Sequence, residues 1–398
     1  MLSAPVFALT RSAKLVYVAL MSIMDRYLLR QFLRAFLIGY LSLTGLYVVF
    51  DLFTNLDEFL RCGQKVGGVA SFVAQYYGYK TILFFDRTSG PLCLVSAMFL
   101  VALLQRHNEM TALQAAGISR VRVLRPIFFA AVALSLLAAV NRETLMPCFR
   151  YELARRPQDP LGDQPQSIQP RYDGQTDVLM TGKYSYADEQ RIEEPQFLLP
   201  PLLRQYGKQI TAENAYYKPP SGDRPGGYLC VGVREPRNLE SRPSLLLDGR
   251  PVLITPHDAP QWLKPHECFL VSDVDFEQLA GGDSFKQFSS TAQLIRGLRN
   301  PSLSFGADVR VTIHARFVQP LLDLTLLFLG LPLVVHRESR NVFLAMGMCL
   351  ILTTTYSLVV IGTQHLGAML LLSPPLAAWL PLMIFVPPAV GMWEWLEK

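Results

Sequence analysis

The sequence predicts a membrane α-helical protein: six transmembrane helices, with an all-β domain of the sandwich or barrel type set between the third and the fourth. Three observations lead there. Charged residues make up only 17% of the chain and the mean hydropathy is +0.24, where soluble domains carry roughly a quarter charged residues. The deficit is concentrated in runs without Asp, Glu, Lys or Arg: Ala35–Phe50, Thr88–Gln105, Pro126–Asn141, Phe317–Val335 (interrupted by Asp323) and Asn341–Trp393. A bilayer core about 30 Å thick takes roughly 17–25 mostly apolar residues per helix, and the last run is long enough for two, with "TQHLGAMLLLSPP" as the turn. The third observation is a change of character from Asn141 to Arg310, where short β-rich runs alternate with Pro/Gly clusters.

In chain order, the spans are expected at Phe32–Phe53, Gly90–Leu104, Val123–Val140, Ile313–Val335, Val342–Thr363 and Pro374–Trp393. The polar "NLDEFLRCGQKVGG" reads as a loop with Gly63, Gly67 and Gly68 as punctuation. The tyrosine-rich "VASFVAQYYGYKTILFFDRT" reads as a helix lying at the water–lipid boundary. Pro332, Pro381, Pro387 and Pro388 fall inside the fourth and sixth spans, where neighbouring helices can satisfy the freed backbone groups. The sixth span carries Trp379, Trp393 and Trp395 toward its edges, as interface anchors do.

Charge orients these spans. The middle region balances 20 Lys+Arg against 22 Asp+Glu, leaving 17 against 10 elsewhere. The surplus sits in alternate connections: Arg26, Arg30 and Arg34 before the first span, Arg106, Arg120, Arg122 and Arg125 between the second and third, Arg337 and Arg340 between the fourth and fifth, and Lys398 at the end. Short loops rich in Lys and Arg stay cytoplasmic. Both termini are therefore expected inside, with residues 1–31 as a cytoplasmic N-terminal extension and the whole middle region outside. The apolar "LVYVALMSIM" in that extension is too short to span and lacks a small-residue cleavage site; it reads as an extension or as a start assigned before Met24. No soluble basic face for nucleic acid stands out.

The middle region, residues 141–310, opens with "RRPQDPLGDQPQSIQPRYDGQTD", which cannot lie in lipid. Strands are expected in "DVLMTGKYSY", "QITAENAYYKP", "GYLCVGVREP", "SLLLDGRPVLIT" and "ECFLVSDVDFEQL". "DEQRIEEPQFLLPPLLRQYG" reads as an inserted loop or short helix, and "TAQLIRGLRNPS" as a helix leading back to the membrane. Val178, Met180, Leu245, Leu247, Phe269 and Val271 alternate as they would in a closed core or in an open lining for acyl chains. Cys230 and Cys268 both fall here, in a compartment that permits a disulfide; their spacing does not decide whether they pair. The six histidines and six cysteines are dispersed without metal-ligand spacing, so no metal, cofactor or catalytic cluster is assigned.

The most informative segment is "RHNEMTALQAAGISRVRVLRP", polar and basic between two spans. Glu109–Ala116 is rich in helix formers, and Gly117 suits the left-handed position that ends a helix. Glu109 lies in the first turn, where the helix dipole favours an acid. Ala112, Ala115 and Ala116 make one side small, open to close approach by a soluble partner. A connecting loop held to anionic lipid by its arginines is the alternative.

That segment resembles the coupling segment of the LptF/LptG (YjgP/YjgQ) family of lipopolysaccharide export permeases: an acid, an Ala/Leu-rich stretch, "GIS" and a basic run to Pro. "MDRYLLRQFLRAFL" resembles the family's entry into the first helix, "VNRETLMP" its exit from the third, and "HARFVQPLLDLTLLFLGLPLVVHRESRN" its fourth helix. The resemblance, from about Met24 to Lys398, implies a jellyroll for the periplasmic β domain. It implies two permease halves, F-type and G-type, paired on a cytoplasmic ABC ATPase dimer, with lipopolysaccharide passed to periplasmic bridge proteins of the LptC/LptA kind. It also implies that a helix over 108–117 couples to the ATPase through Glu109, Ala112, Leu113, Ala115 and Gly117. The chain itself contains no G-x-x-x-x-G-K-[ST] loop for nucleotide phosphates, so hydrolysis belongs to another chain.

One departure bears on the cargo. Family members carry a basic residue near the outer end of the first helix, whereas "VVFDLFTNLDEFL" places Asp51, Asp57 and Glu58 there. Arg61, Lys65, Arg87 and Arg316 are the candidates to meet lipid phosphates, since Arg offers charge and bidentate hydrogen bonds; pairing with Asp86 or snorkelling to headgroups is the structural alternative for each. Asp323 is the clearest ionisable residue within a span, a costly placement, with Arg316 or a neighbouring chain as its expected partner. A different envelope glycolipid as cargo, or a non-transporting scaffold with a periplasmic binding domain, are the competing readings.

Overall fold

The computed structural model describes residues 22–161, 165–186, 189–201, 207–222, 224–247, 249–259, 261–303, 305–336 and 342–397. The expected N-terminal extension before residue 22, the basic pair Arg337 and Arg340, and Lys398 lie outside the described residues. Among the described residues, six helices are long and apolar enough to cross a membrane: α1 (Ile23–Thr54), α3 (Val69–Arg106), α5 (Arg120–Glu143), α11 (Ala307–His336), α12 (Val342–Ala368) and α13 (Pro374–Glu397). Between α5 and α11 lies the β-rich segment, so the fold class is the one the hydropathy and turn signals predict.

The described residues divide into two compact units, one drawn from residues 22–50, 81–142 and 310–397, the other from residues 51–80 and 143–309. In the first unit, α3 and α11 form the buried centre, and α1, α12 and α13 expose long apolar faces. Glycine permits the closest approach: a Cβ at Gly90 would lie 2.4 Å from Asp323 Oδ1, and one at Gly330 would lie 2.2 Å from Leu94 Cδ1. Small residues at such crossings let helices pack tightly where lipid removes the hydrophobic drive to associate. Polar links add direction, with Tyr356 Oη donating to the Leu322 carbonyl (2.9 Å) and Gln105 Nε2 to the Val334 carbonyl (3.1 Å). Phe128 stacks on Phe328 at 4.4 Å between ring centres, with Trp393 edge-on to both.

Two expectations need correction here. The tyrosine-rich stretch expected at the membrane surface is not a separate helix: Val69–Arg106 is one helix of 38 residues, with Pro91 inside it. Gly90 and Pro91 lie within it, since a membrane helix tolerates Gly and Pro when its neighbours support the freed backbone groups. The stretch expected as a polar loop contains α2 (Leu56–Val66), ended by Gly67 in the left-handed region (φ 87°). Phe59 is its buried anchor, packed on Phe72, Tyr76 and Tyr77, and Tyr77 Oη donates to Asp51 Oδ2 (2.8 Å).

Among its described residues, the second unit also holds two short helices, α6 (Leu145–Cys148) and α7 (Arg150–Ala154), and eleven strands. These are β1 (Arg171–Asp173), β2 (Val178–Thr181), β3 (Tyr184–Tyr186), β4 (Arg191–Glu193), β5 (Gln196–Leu198), β6 (Gln209–Thr211), β7 (Asn214–Lys218), β8 (Gly227–Val231), β9 (Leu245–Leu247), β10 (Arg250–Ile254) and β11 (Glu267–Val271). They form two antiparallel sheets, ordered β1-β2-β5-β6 and β3-β4-β7-β8-β11-β10-β9. "DEQRIEEPQFLLPPLLRQYG", expected as a loop or helix, supplies β4 and β5 instead. Ile192 and Phe197 are fully buried, and a single inward residue in a three-residue strand is too short a period to read from sequence. The helices α8 (Phe276–Ala280), α9 (Gly282–Phe288) and α10 (Thr291–Arg299) follow. A capping box of Ser290 and Gln293 starts α10.

Val178, Met180, Leu245 and Phe269 are buried between neighbours, whereas Leu247 and Val271 are half-buried. Cys230 and Cys268 face each other directly on β8 and β11 and are free, buried thiols. The hydrogen bond that its thiol donates toward Cys230, together with burial, holds Cys268 well above its ordinary pKa.

Candidate functional site: the segment between the second and third spans

The segment folds as α4 (Glu109–Ala115). Met110, 4% exposed, anchors it to the core of the first unit. Its end is a Schellman motif: Gly117 N donates to the Gln114 carbonyl (2.9 Å) and Ile118 N to the Leu113 carbonyl (3.0 Å). Gly117 has φ +81°, a conformation that costs most residues roughly 1–2 kcal/mol and glycine nothing comparable. Leu113 and Ile118, both half-buried against the same core, supply the apolar contact that accompanies this cap. The helix is thus fixed at both ends of its buried side, leaving Thr111, Ala112, Ala115, Ala116 and Gly117 exposed.

Glu109 is held from α1. Tyr27 Oη donates to both carboxylate oxygens, at 3.1 and 3.3 Å, and Gln31 Nε2 donates to Tyr27 Oη at 3.2 Å. Met24, Tyr27 and Leu28 of α1 and Glu109, Ala112 and Leu113 of α4 enclose a recess of about 280 Å³. Arg122, at the start of α5, pairs with Asp25 at 3.6 Å. An anionic group, an apolar recess and a flat small-residue surface therefore occur together on one short, rigidly capped helix. The structure brings Glu109, Ala112 and Leu113 into one recess and puts Ala115 and Gly117 on the exposed side.

Sequence reasoning did not identify Tyr27, Met24 and Leu28 as part of this site. Their spacing of three and four residues puts them on one helix face, but the partner of that face is decided by packing.

The other candidates divide between the two units. Arg61 and Lys65 are exposed, four residues apart on α2, in the second unit; Arg87 is exposed on α3 and Arg316 half-buried on α11, in the first. Asp86 does not serve Arg87: it pairs with Arg142, whose Nε and Nη2 lie 3.0 and 2.9 Å from Asp86 Oδ1. One residue earlier, Asn141 Nδ2 donates to the Ile82 carbonyl (3.1 Å), so "NR" of the "VNRETLMP" motif ties α5 to α3 at successive turns. Asp323 accepts from Gln319 Nε2 at 2.9 Å, a partner one turn away, with Gly90 against its carboxylate.

The lipopolysaccharide export system permease LptF/LptG family profile matches the chain over residues 26–186 and 272–394. No curated protein matches it. The matched residues take in the α4 segment and most of each of the six apolar helices, and they pass over β4–β11. Extending across more than half of the chain, and over the elements that build the site, this match shows that the protein belongs to the LptF/LptG family of lipopolysaccharide export permeases.

Proposed function

We propose that this chain is one permease half of an ABC-type complex that extracts lipopolysaccharide from the bacterial inner membrane and passes it to a periplasmic bridge. In this reading, residues 32–140 and 311–398 are the membrane parts, 1–31 and α4 are cytoplasmic, and 141–310 are periplasmic. The alternation of basic and neutral connections supports that orientation. A second permease half of the same family, a cytoplasmic ATPase dimer and bridge proteins of the LptC/LptA kind complete the machine. The chain is a transporter subunit and not an enzyme, with ATP hydrolysis in the ATPase.

The observation that carries the reading is α4. Glu109 is oriented by Tyr27 beside an apolar recess, and the exposed Ala112, Ala115 and Gly117 let a partner backbone come close. A rigid helix transmits displacement, so motion of a docked ATPase reaches α3 and α5 directly. Arg61, Lys65, Arg87 and Arg316 are the proposed contacts for anionic headgroups, and Asp323 is a structural charge within the bundle. The acidic residues Asp51, Asp57 and Glu58 favour a second reading of the cargo, a different envelope glycolipid.

Pull-down of the detergent-solubilised protein followed by mass spectrometry tests this. Wild type is expected to bring down an ABC-type ATPase, and Glu109→Lys is not. Failure of wild type to capture an ATPase under conditions that preserve membrane complexes would leave the scaffold reading. The lipid recovered in the same sample separates lipopolysaccharide from another glycolipid.

A further inference from the structure

The second unit contains a cavity of about 310 Å³, at the lower end of the roughly 300–1,000 Å³ range of small-molecule sites. One wall is α7 and the residue after it, which contribute Arg150, Tyr151 and Arg155; the other is α8 and α9, with Phe276, Phe285 and Phe288. Phe276 and Phe288 are each 4% exposed, and Phe285 is stacked on Phe305, so the aromatic wall is packed from behind.

Among the described side chains, the charges lining the cavity do not cancel. Glu277 is engaged by both Arg150 and Tyr151, which neutralises one cation with one anion. Arg155 is left: its half-buried side chain has no carboxylate partner among the described residues. Its backbone is fixed, because Lys80 Nζ donates to the carbonyls of Leu153 (2.8 Å) and Arg155 (2.7 Å) at the end of α7. A guanidinium offers five donors in a planar fork and no acceptor, so it suits an anion entering the cavity. Gln166 and Ser185 add polar groups to the same lining.

We propose that this cavity is a binding site for an anionic single-chain amphiphile, its carboxylate or phosphate meeting Arg155 and its alkyl chain lying against Phe276, Phe285 and Phe288. The site is independent of the export reading, since it uses neither α4 nor the membrane helices. A fixed guanidinium recognises either anion by charge-assisted hydrogen bonds. The apolar wall selects an alkyl chain over a free inorganic anion.

The test uses the full chain in nanodiscs and a decanoate probe carrying a diazirine on its chain, with the matching alkyl alcohol as a neutral twin. Photolabelling is mapped by mass spectrometry. The carboxylate probe is expected to label peptides containing residues 150–161 and 276–288, and the neutral twin about tenfold less, as loss of a hydrogen bond to a charged group implies. Arg155→Gln should lower the carboxylate label about tenfold while leaving labelling of the membrane helices unchanged. Ala280→Trp, which fills the cavity, should abolish it. Competition by unlabelled decanoate alone identifies a carboxylate ligand, and competition by decyl phosphate alone a phosphate. Label confined to the membrane helices, equal labelling by the neutral twin, an unaltered Arg155→Gln pattern, or competition by neither compound would overturn the proposal.

Discussion

Replacing Gly90 by alanine isolates what the closest helix crossing contributes. A Cβ there falls 2.4 Å from Asp323 Oδ1 and 2.9 Å from its Cγ, whereas a Cβ at Gly347, on α12, meets nothing within 4 Å. Both glycines lie within helices, so alanine brings each the same gain in helix propensity, about 0.8–1 kcal/mol. The difference between the two variants therefore reports the steric term alone, roughly 1–3 kcal/mol for overpacking a filled site. Unfolding entropy of about 2.1 cal/mol/K per residue, over a unit of some 200 residues, converts this to a Tm for Gly90→Ala about 2–7 °C below that of Gly347→Ala. Intrinsic tryptophan fluorescence in detergent follows both transitions. The attribution to Asp323 has its own control: in an Asp323→Ala background the obstructing carboxylate is gone, and Gly90→Ala should lose most of its cost, as contacting sites couple in double-mutant cycles. Equal Tm values for the two glycine variants, or an undiminished cost in the Asp323→Ala background, would refute the reasoning.

The pair between α3 and α5 gives a second expectation. Arg142 and Asp86 are 16% and 12% exposed, so Arg142→Leu strands a carboxylate and should cost about 3–5 kcal/mol, while the double change with Asp86→Leu should recover most of it in the same thermal assay. Gly117→Val forces a β-branched residue into the left-handed region at the end of α4. A cost of at least roughly 1–2 kcal/mol predicts a 5–30-fold rise in the open population, read as faster tryptic cleavage at Arg120 and Arg122. In the second unit, the Asp258 carboxyl is held down to about 2 by the Ser244 amide, with help from His257. Its folded pKa lies below the unfolded value of about 3.9, so its stabilisation is present above that value and is lost as pH falls from about 4 toward 2. Asp258→Asn should flatten this part of the pH–Tm curve; identical curves for the two proteins would remove Asp258 as the cause.

Much of the architecture was legible because it is written in local terms. Five apolar runs, only one of them interrupted by a charge (Asp323), contain six spans because hydropathy over about 20 residues is a property of the chain itself. Gly117 declared the end of α4 because only glycine takes that backbone conformation without strain, and the φ of +81° follows. The β character of residues 171–271 was legible from alternation and turns, except at β1, β4 and β5, each a three-residue strand outside the alternating runs. The tyrosine-rich composition also divided Val69–Arg106 where the chain does not, because an interfacial helix and the aromatic end of a longer helix share one local signature.

What the sequence by itself determined is therefore the set of spans, the β insertion, the capped helix and, through its motifs, the family. Tertiary structure alone decided the pairings: Tyr27 with Glu109, Arg142 with Asp86, and Gly90 against the Asp323 carboxylate. It also grouped residues 51–80 with the middle region. Helix periodicity fixes which residues share a face, but the identity of the face opposite depends on how two helices cross, and that is settled by side-chain volume and polar satisfaction summed over the whole bundle.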